Sequence, residues 1–378
     1  MKTTEIQSIF NHFAQLNVIV IGDVMLDDYV VGSASRLSPE APVPVVDIEQ
    51  RYVRLGGAAN VALNLKALGA NPILCSVIGQ AEKDRLFLKT LQETCLPIMG
   101  IVQSGERKIT VKHRVLANNV QLLRLDDEQR NDLSIEDRTI LTNKITQIID
   151  NYHIDAILFE DYDKGVIGSE LIDDIVKIAE SNQIPITVDP KKKNFQHYHH
   201  SAIFKPNLKE LKEGLGKSVL LENINDVQFK SEMELFMTKN QHQMLLLTLS
   251  ENGVMLVKKD VNGLHIEQIP AHRRHIADVS GAGDTVLSVA TLCLAANMNS
   301  KEVAEWANLA GGIVCEYAGV VAIDRDRFYK ELVNLYTLND GKFYLKLNDW
   351  LRTFNIKIYT IMLKKIKKRQ IAIMHLKI

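Results

Sequence analysis

A series of short apolar runs recurs along this chain, and each closes on polar residues. Asn17-Val-Ile-Val-Ile21 leads into Gly22-Asp23, and Ala156-Ile-Leu-Phe159 leads into Glu160-Asp161. Pro185-Ile-Thr-Val188 leads into Asp189-Pro190-Lys191, and Ala202-Ile-Phe204 into Lys205-Pro206-Asn207. Met244-Leu-Leu-Leu-Thr248 leads into Leu249-Ser250-Glu251, with Gly253 just beyond. The runs are too short and too evenly apolar for half-exposed strands, so they read as strands buried on both faces. From Leu133 onward they alternate with helix-patterned segments. This predicts an α/β fold with a doubly wound, mainly parallel sheet, whose ligands gather at the carboxyl ends of the strands.

The remaining segments fit around that sheet. Ile6 to Leu16 has the spacing of a short amphipathic helix, Pro72 to Ile78 reads as a strand and Asp84 to Leu91 as a helix. The segments from Gly253 and from Gly263 read as a hairpin, and Trp306 to Cys315 as a late packed helix. Two segments, about 30–53 and 108–125, are rich in Val, Pro and partial alternation. They read as a small β lid standing off the main sheet, and covering such a lid by self-association predicts a homodimer. Residues 1–336 are thus expected to form one domain. Residues 337–378 turn basic and apolar, with Lys364, Lys365, Lys367, Lys368 and Arg369 the densest positive cluster. This tail reads as a solvated appendage or as a patch for a membrane surface or nucleic acid.

Composition narrows the functional classes. With 378 residues, 46% of them hydrophobic and 24% charged, the chain is an ordinary globular protein of one large or two smaller domains. A net charge of -1 gives no global reason to expect nucleic acid. Cys75, Cys95, Cys293 and Cys315 form no Cys-x-x-Cys pair and lie in largely apolar surroundings, which reads as buried free thiols in a reducing cytoplasm. The N-terminus lacks the apolar core of a signal peptide, and no apolar run has the length of a membrane span.

The chemistry concentrates in Asp278-Val-Ser-Gly-Ala-Gly-Asp-Thr285, followed by an apolar helical run from Val286. Gly281, Ala282 and Gly283 form a tight loop whose N–H groups meet a helix N-terminus, an anion site suited to a transferring phosphoryl group. Asp284 stands at its mouth, as a base for an attacking hydroxyl or as a plain helix cap. Asp23 and Asp27, past the first strand, have the chemistry to accept sugar hydroxyls or to cap a turn. Gly56, Gly57 and Asn60 open a helix that closes at Gly69, either near a ligand or simply in packing. Asn207 and Glu210, three apart in a first helical turn, serve equally as metal ligands or as a cap.

The order of these pieces resembles the PfkB (ribokinase-like) carbohydrate kinases, from about Leu16 to Val321. The resemblance implies ATP as co-substrate and Mg²⁺ organised, through water, by Asn207 and Glu210. It implies nucleotide contacts from Asn207, Thr248, Glu251, Gly253 and Asn308, and sugar contacts from Asp23, Asp27, Gly56, Gly57 and Asn60. Arg36-Leu-Ser-Pro-Glu-Ala-Pro-Val-Pro-Val-Val46, Gln121-Leu-Leu-Arg-Leu-Asp126 and Asp161-Tyr-Asp-Lys-Gly165 look like the heptose kinases of lipopolysaccharide synthesis. That implies phosphorylation of D-glycero-D-manno-heptose 7-phosphate at O1, with the distal phosphate taken by cations among Lys112, Arg114, Arg124, Lys164 and Lys191. Asp163 and Lys192 stand where the family often has Gly, and the tail past about Phe328 departs from it. No His-x-Gly-His motif is present, so a separate adenylyltransferase is expected in the pathway. Ribokinase- or fructokinase-type activity, or a catalytically silent sugar-binding protein, are the alternatives.

Overall fold

A computed structural model describes residues 1–118, 120–216, 227–260 and 263–339. The chain runs α1 (Thr3–Phe13), β1 (Asn17–Gly22), β2 (Val24–Leu37), β3 (Pro44–Gly57), α2 (Ala58–Ala67), β4 (Asn71–Ile78), α3 (Glu82–Glu93) and β5 (Ile101–Gln103). It continues through β6 (Thr110–Ala117), β7 (Val120–Asp127), α4 (Ile135–Asn151), β8 (Ala156–Glu160), α5 (Ser169–Ser181), β9 (Ile186–Asp189), β10 (Ile203–Phe204), α6 (Leu208–Leu215) and α7 (Val227–Asn240). Then come β11 (Met244–Thr248), β12 (Val254–Asp260), β13 (Gly263–Ile269), α8 (Ala282–Ala295), α9 (Ser300–Val314) and α10 (Arg325–Asn339). Residues 9–328 form the main compact unit, and residues 1–8 group with the described residues from Tyr329. The basic cluster expected at Lys364–Arg369 lies outside the described residues.

The main sheet has the order β13-β12-β11-β10-β9-β8-β1-β4-β5. From β11 to β5 every pairing is parallel, and the β12–β13 hairpin adds an antiparallel edge. The apolar runs end up buried because helices cover both faces, as a parallel sheet requires. β1 is central, and Val18 to Ile21 are fully buried between β4 and β8. β5 was not legible in the sequence. At three residues it is too short to show a period, and it holds the edge by pairing with Ser76 to Ile78.

Register places the polar strand ends side by side. Gly22 pairs with Glu160 and Glu160 with Asp189, while Phe204 pairs with Val188 and so sets Lys205 beside Asp189. A bridge between Asn207 and Thr248 extends the row. The second sheet, β3-β2-β6-β7, is the lid. It is longer than the sequence suggests, because β2 begins at once after Asp23. Asp27 therefore lies within a strand, opposite Lys112 on β6, and not in a loop past a strand end. Among the cysteines, Cys75, Cys293 and Cys315 are buried free thiols, and burial pushes Cys75 up to about 12. Cys95 is exposed, contrary to expectation, since it follows α3 in a left-handed turn with φ of 52°.

Candidate active site

The N-terminus of α8 faces the row of strand ends. Gly281 caps it with φ of 79°, a left-handed conformation that favours glycine, and no side chain fills the cap. The Ala282 N–H turns back to the Val279 carbonyl at 3.3 Å, which leaves the first-turn N–H groups of Gly283 and Asp284 for an anion. A Cβ on Gly283 would lie 3.4 Å from the Lys205 ammonium, so that cation stands against the loop. Lys205 is buried and pairs with Asp189 at 2.8 Å. Burial works against its charge, yet Asp189 and Glu210 hold its pKa above the ordinary value.

Asp284 is buried, and both carboxylate oxygens are occupied. Asn60 Nδ2 donates to Oδ2 at 2.7 Å, and the Tyr162 hydroxyl donates to Oδ1 at 2.9 Å. Burial raises the Asp284 pKa, and the Asn60 and Tyr162 donors moderate that rise. Asn60 is aimed from α2, whose next turn is tied to α8 by Thr285 Oγ1 donating to Asn64 Oδ1 at 3.1 Å. Asn60, read as a sugar contact, thus donates to Asp284 itself.

The other sugar-side residues divide. Asp23 is buried, and its carboxylate accepts from the backbone N–H groups of Tyr162, Lys164 and Val166 at 2.9–3.0 Å. Its carboxylate is committed to holding the 162–166 turn, and that turn delivers Tyr162 to Asp284. Gly57 lies over the Asp23 carbonyl, and Gly56 beside the Asp27 carboxylate. Asp27 is buried and ion-paired with Arg114 at 2.9 Å. Lys164 pairs with Glu128 at 2.8 Å, exposed Arg124 with Asp126 at 3.0 Å, and Lys191 with Glu210 and Asp189.

A cavity of about 940 Å³ opens beside Asp284, which lines it together with Tyr162. It is lined by the Gly281–Asp284 loop and by Asn207, Thr248, Glu251, Gly253 and Asn308, so the expected nucleotide residues share one space. Lys191, Lys205 and Asp189 line it too. Asn207 and Glu210 form a capping box for α6: Asn207 Oδ1 accepts from Glu210 N, and Asn207 N donates to Glu210 Oε2, both at 2.8 Å. Glu210 also binds Lys191. The cap, one of the two readings of this spacing, is what these side chains form.

Four residues at this site were not singled out from the sequence: Glu160, Tyr162, Asp189 and Lys205. Each belongs to a polar strand end, which was the available signal. Glu160, Asp189 and Asp284 each present a carboxylate oxygen within 4.8 Å of the others. Both Glu160 oxygens are buried without a hydrogen-bond partner among the described residues. Burial, reinforced by Asp189 and Asp284, drives the Glu160 pKa well above its ordinary value.

The comparisons agree with this geometry. Residues 15–326 match the model of the pfkB family of carbohydrate kinases. The bifunctional protein HldE of Geobacter sulfurreducens is 34% identical over 85% of this chain and 64% of its own length. The HldE of Campylobacter fetus is 35% identical over 86% of this chain and 68% of its own length. The chain thus spans about two thirds of these relatives. Phosphofructokinase-2 from Escherichia coli in complex with fructose-6-phosphate superposes with a TM-score of 0.64 at 17% identity, over 84% of this chain and 98% of that one. Arabidopsis thaliana ribokinase complexed with ribose and ATP gives 0.61 at 16% identity, over 83% and 97%. The structural likeness carries the ribokinase-like fold and the sequence matches carry the family: this chain belongs to the pfkB family of carbohydrate kinases.

Proposed function

We propose that the protein transfers the γ-phosphoryl group of ATP to O1 of D-glycero-D-manno-heptose 7-phosphate, giving the 1,7-bisphosphate. The observation that carries the reaction is the buried Asp284 carboxylate, set beside a side-chain-free helix N-terminus and holding a hydroxyl donor at 2.9 Å. The likeness to the bifunctional HldE proteins supports the choice of a heptose phosphate. The acceptor hydroxyl displaces the Tyr162 hydroxyl from Asp284 Oδ1. As its oxygen bonds to the γ-phosphorus, its proton passes to Asp284 and the β–γ bridging P–O bond breaks to release ADP. The N–H groups of Gly283 and Asp284 stabilise the equatorial oxygens, and Lys205 adds a fixed cation beside them. Thr248, Glu251, Gly253 and Asn308 form the wall for the nucleotide.

Magnesium fits the acids present: Glu160 and Asp189 offer hard carboxylate oxygens, and those of Glu160 lack partners. Glu160 and Asp189 would hold the ion, and it would neutralise charge on the transferring phosphates. We further propose that the exposed lid is covered by a second copy of the chain.

The test is ADP release with Mg-ATP, comparing heptose 7-phosphate with ribose, fructose and fructose 6-phosphate. A strong preference for the heptose phosphate is expected, and preference for another sugar would overturn that substrate while leaving the base in place. Asp284→Asn should lower kcat by about 10²–10⁴-fold, the range of a general base, with ATP affinity little changed. Near-normal turnover in that variant would remove Asp284 from the role.

A further inference from the structure

The cations around Asp284 and along the neighbouring lid strand are nearly all paired. Arg114 is held by Asp27, Lys164 by Glu128, Lys205 by Asp189 and Lys191 by Glu210. Lys112 is the exception: its ammonium has no ion pair or hydrogen bond among the described residues. It is half-buried and rests 5.4 Å from the centroid of the Tyr162 ring. Burial pulls its pKa down; Asp27 and Asp126 act against that, while Arg114 and Lys164 repel it further. Its ammonium is not among the buried polar atoms without a partner, so solvent reaches it and its three donors are open to a ligand.

Its direction is fixed by the strand. Lys112 and Arg114, two apart on β6, share a face, while His113 between them turns to Asp28 at 3.1 Å on the other. The shared face meets Tyr162, whose hydroxyl binds Asp284. The Lys112 ammonium and the Asp284 carboxylate are therefore separated by one phenol and a hydrogen bond, which matches the two ends of a single sugar. A neutral sugar would leave the ammonium unpaired. A phosphate on the carbon remote from the reacting hydroxyl supplies several acceptor oxygens and the missing negative charge.

We infer that Lys112 is the anchor for a phosphate carried by the acceptor sugar at the end away from the phosphorylated hydroxyl, so that this lid lysine selects phosphorylated over unphosphorylated acceptors. The inference rests on the sugar-kinase reading above and deepens it by singling out one of five candidate cations. The rival role is a purely structural one, with Lys112 merely steadying Tyr162 through its ring.

The experiment pairs a binding measurement with kinetics on the wild type, Lys112→Met and Lys112→Arg. Inorganic phosphate is titrated calorimetrically with the nucleotide cavity filled by a non-hydrolysable ATP analogue. Kinetics then compare each sugar phosphate with its unphosphorylated sugar. Lys112→Met should weaken phosphate binding roughly 10- to 100-fold, as loss of a charged hydrogen bond does, and Lys112→Arg should restore much of it. KM for the sugar phosphate should rise by a similar factor, kcat should fall much less, and the preference over the unphosphorylated sugar should collapse. Equal phosphate affinity in wild type and Lys112→Met would overturn the anchor, as would absence of phosphate binding in the wild type. A loss of kcat with KM unchanged would assign Lys112 to the structural role instead. Lys112-dependent phosphate binding without turnover of any sugar phosphate tested would support the anchor and overturn the proposed substrate.

Discussion

At the scale of single residues, the ionisation of Asp284, the proposed base, is set by two donors. Burial alone would keep its carboxyl protonated to a higher pH, and the hydrogen bonds from Asn60 and Tyr162 pull the other way, Asn60 more than Tyr162. Tyr162 itself remains a donor, because burial and the neighbouring Asp284 drive its pKa well up. The sign of a substitution follows. Both donors favour the ionised carboxylate, so removing either raises the Asp284 pKa and leaves less base at a given acidic pH. Tyr162→Phe should therefore move the acid limb of the kcat/KM profile to higher pH, and Asn60→Ala should move it further in the same direction. A limb unmoved in Tyr162→Phe would mean that the phenol does not face the base in the free enzyme. Neither donor was assigned this role from sequence, because both pairings are long-range: Asn60 meets Asp284 across 224 residues and Tyr162 meets it across 122.

At the scale of elements, the junction between β3 and α2 shows how the lid is tied to the catalytic layer. Gly57 ends β3 and caps α2 with φ of 61° and ψ of -138°, and a Cβ there would lie 2.3 Å from the Asp23 carbonyl oxygen. Gly57→Ala should cost about 1–3 kcal/mol in backbone strain, before the added clash, read as a lower urea midpoint at unchanged m. An unchanged midpoint would show that the junction relaxes freely. Much of this layer was legible beforehand. Strand ends, the Gly-Gly opening and the Gly281 loop announce themselves through composition and short spacing. The role of Asp23 did not, since the N–H groups it accepts lie 139–143 residues further on. The Asn207–Glu210 spacing was ambiguous for a different reason: one helical turn suits a cap and a metal site alike, and only the observed capping box, with Lys191 on Glu210, separates them.

At the scale of the whole molecule, the lid carries apolar side chains that the described residues leave uncovered. Every residue of β7 is exposed, with Val120 at 59%, Leu123 at 50% and Leu125 at 52%, and Ile48 on β3 is exposed at 49%. Apolar side chains so placed on a thin sheet need a cover, and a second copy presenting the same face would provide it. Leu123 and Leu125 are two apart and share a face; they sit opposite Val115 and His113 on β6. Placing a charge at both, as in Leu123→Lys with Leu125→Lys, would bury like charges against their own copies across a symmetric interface. Sedimentation of the wild type should show a dimer at micromolar concentration and the double variant a monomer. Because β6 also carries Lys112 and Arg114, loosening the lid should raise KM for the sugar while leaving KM for ATP nearly unchanged. A monomeric wild type would remove the interface from the account. A monomeric variant with an unaltered sugar KM would keep the interface but separate it from the acceptor site.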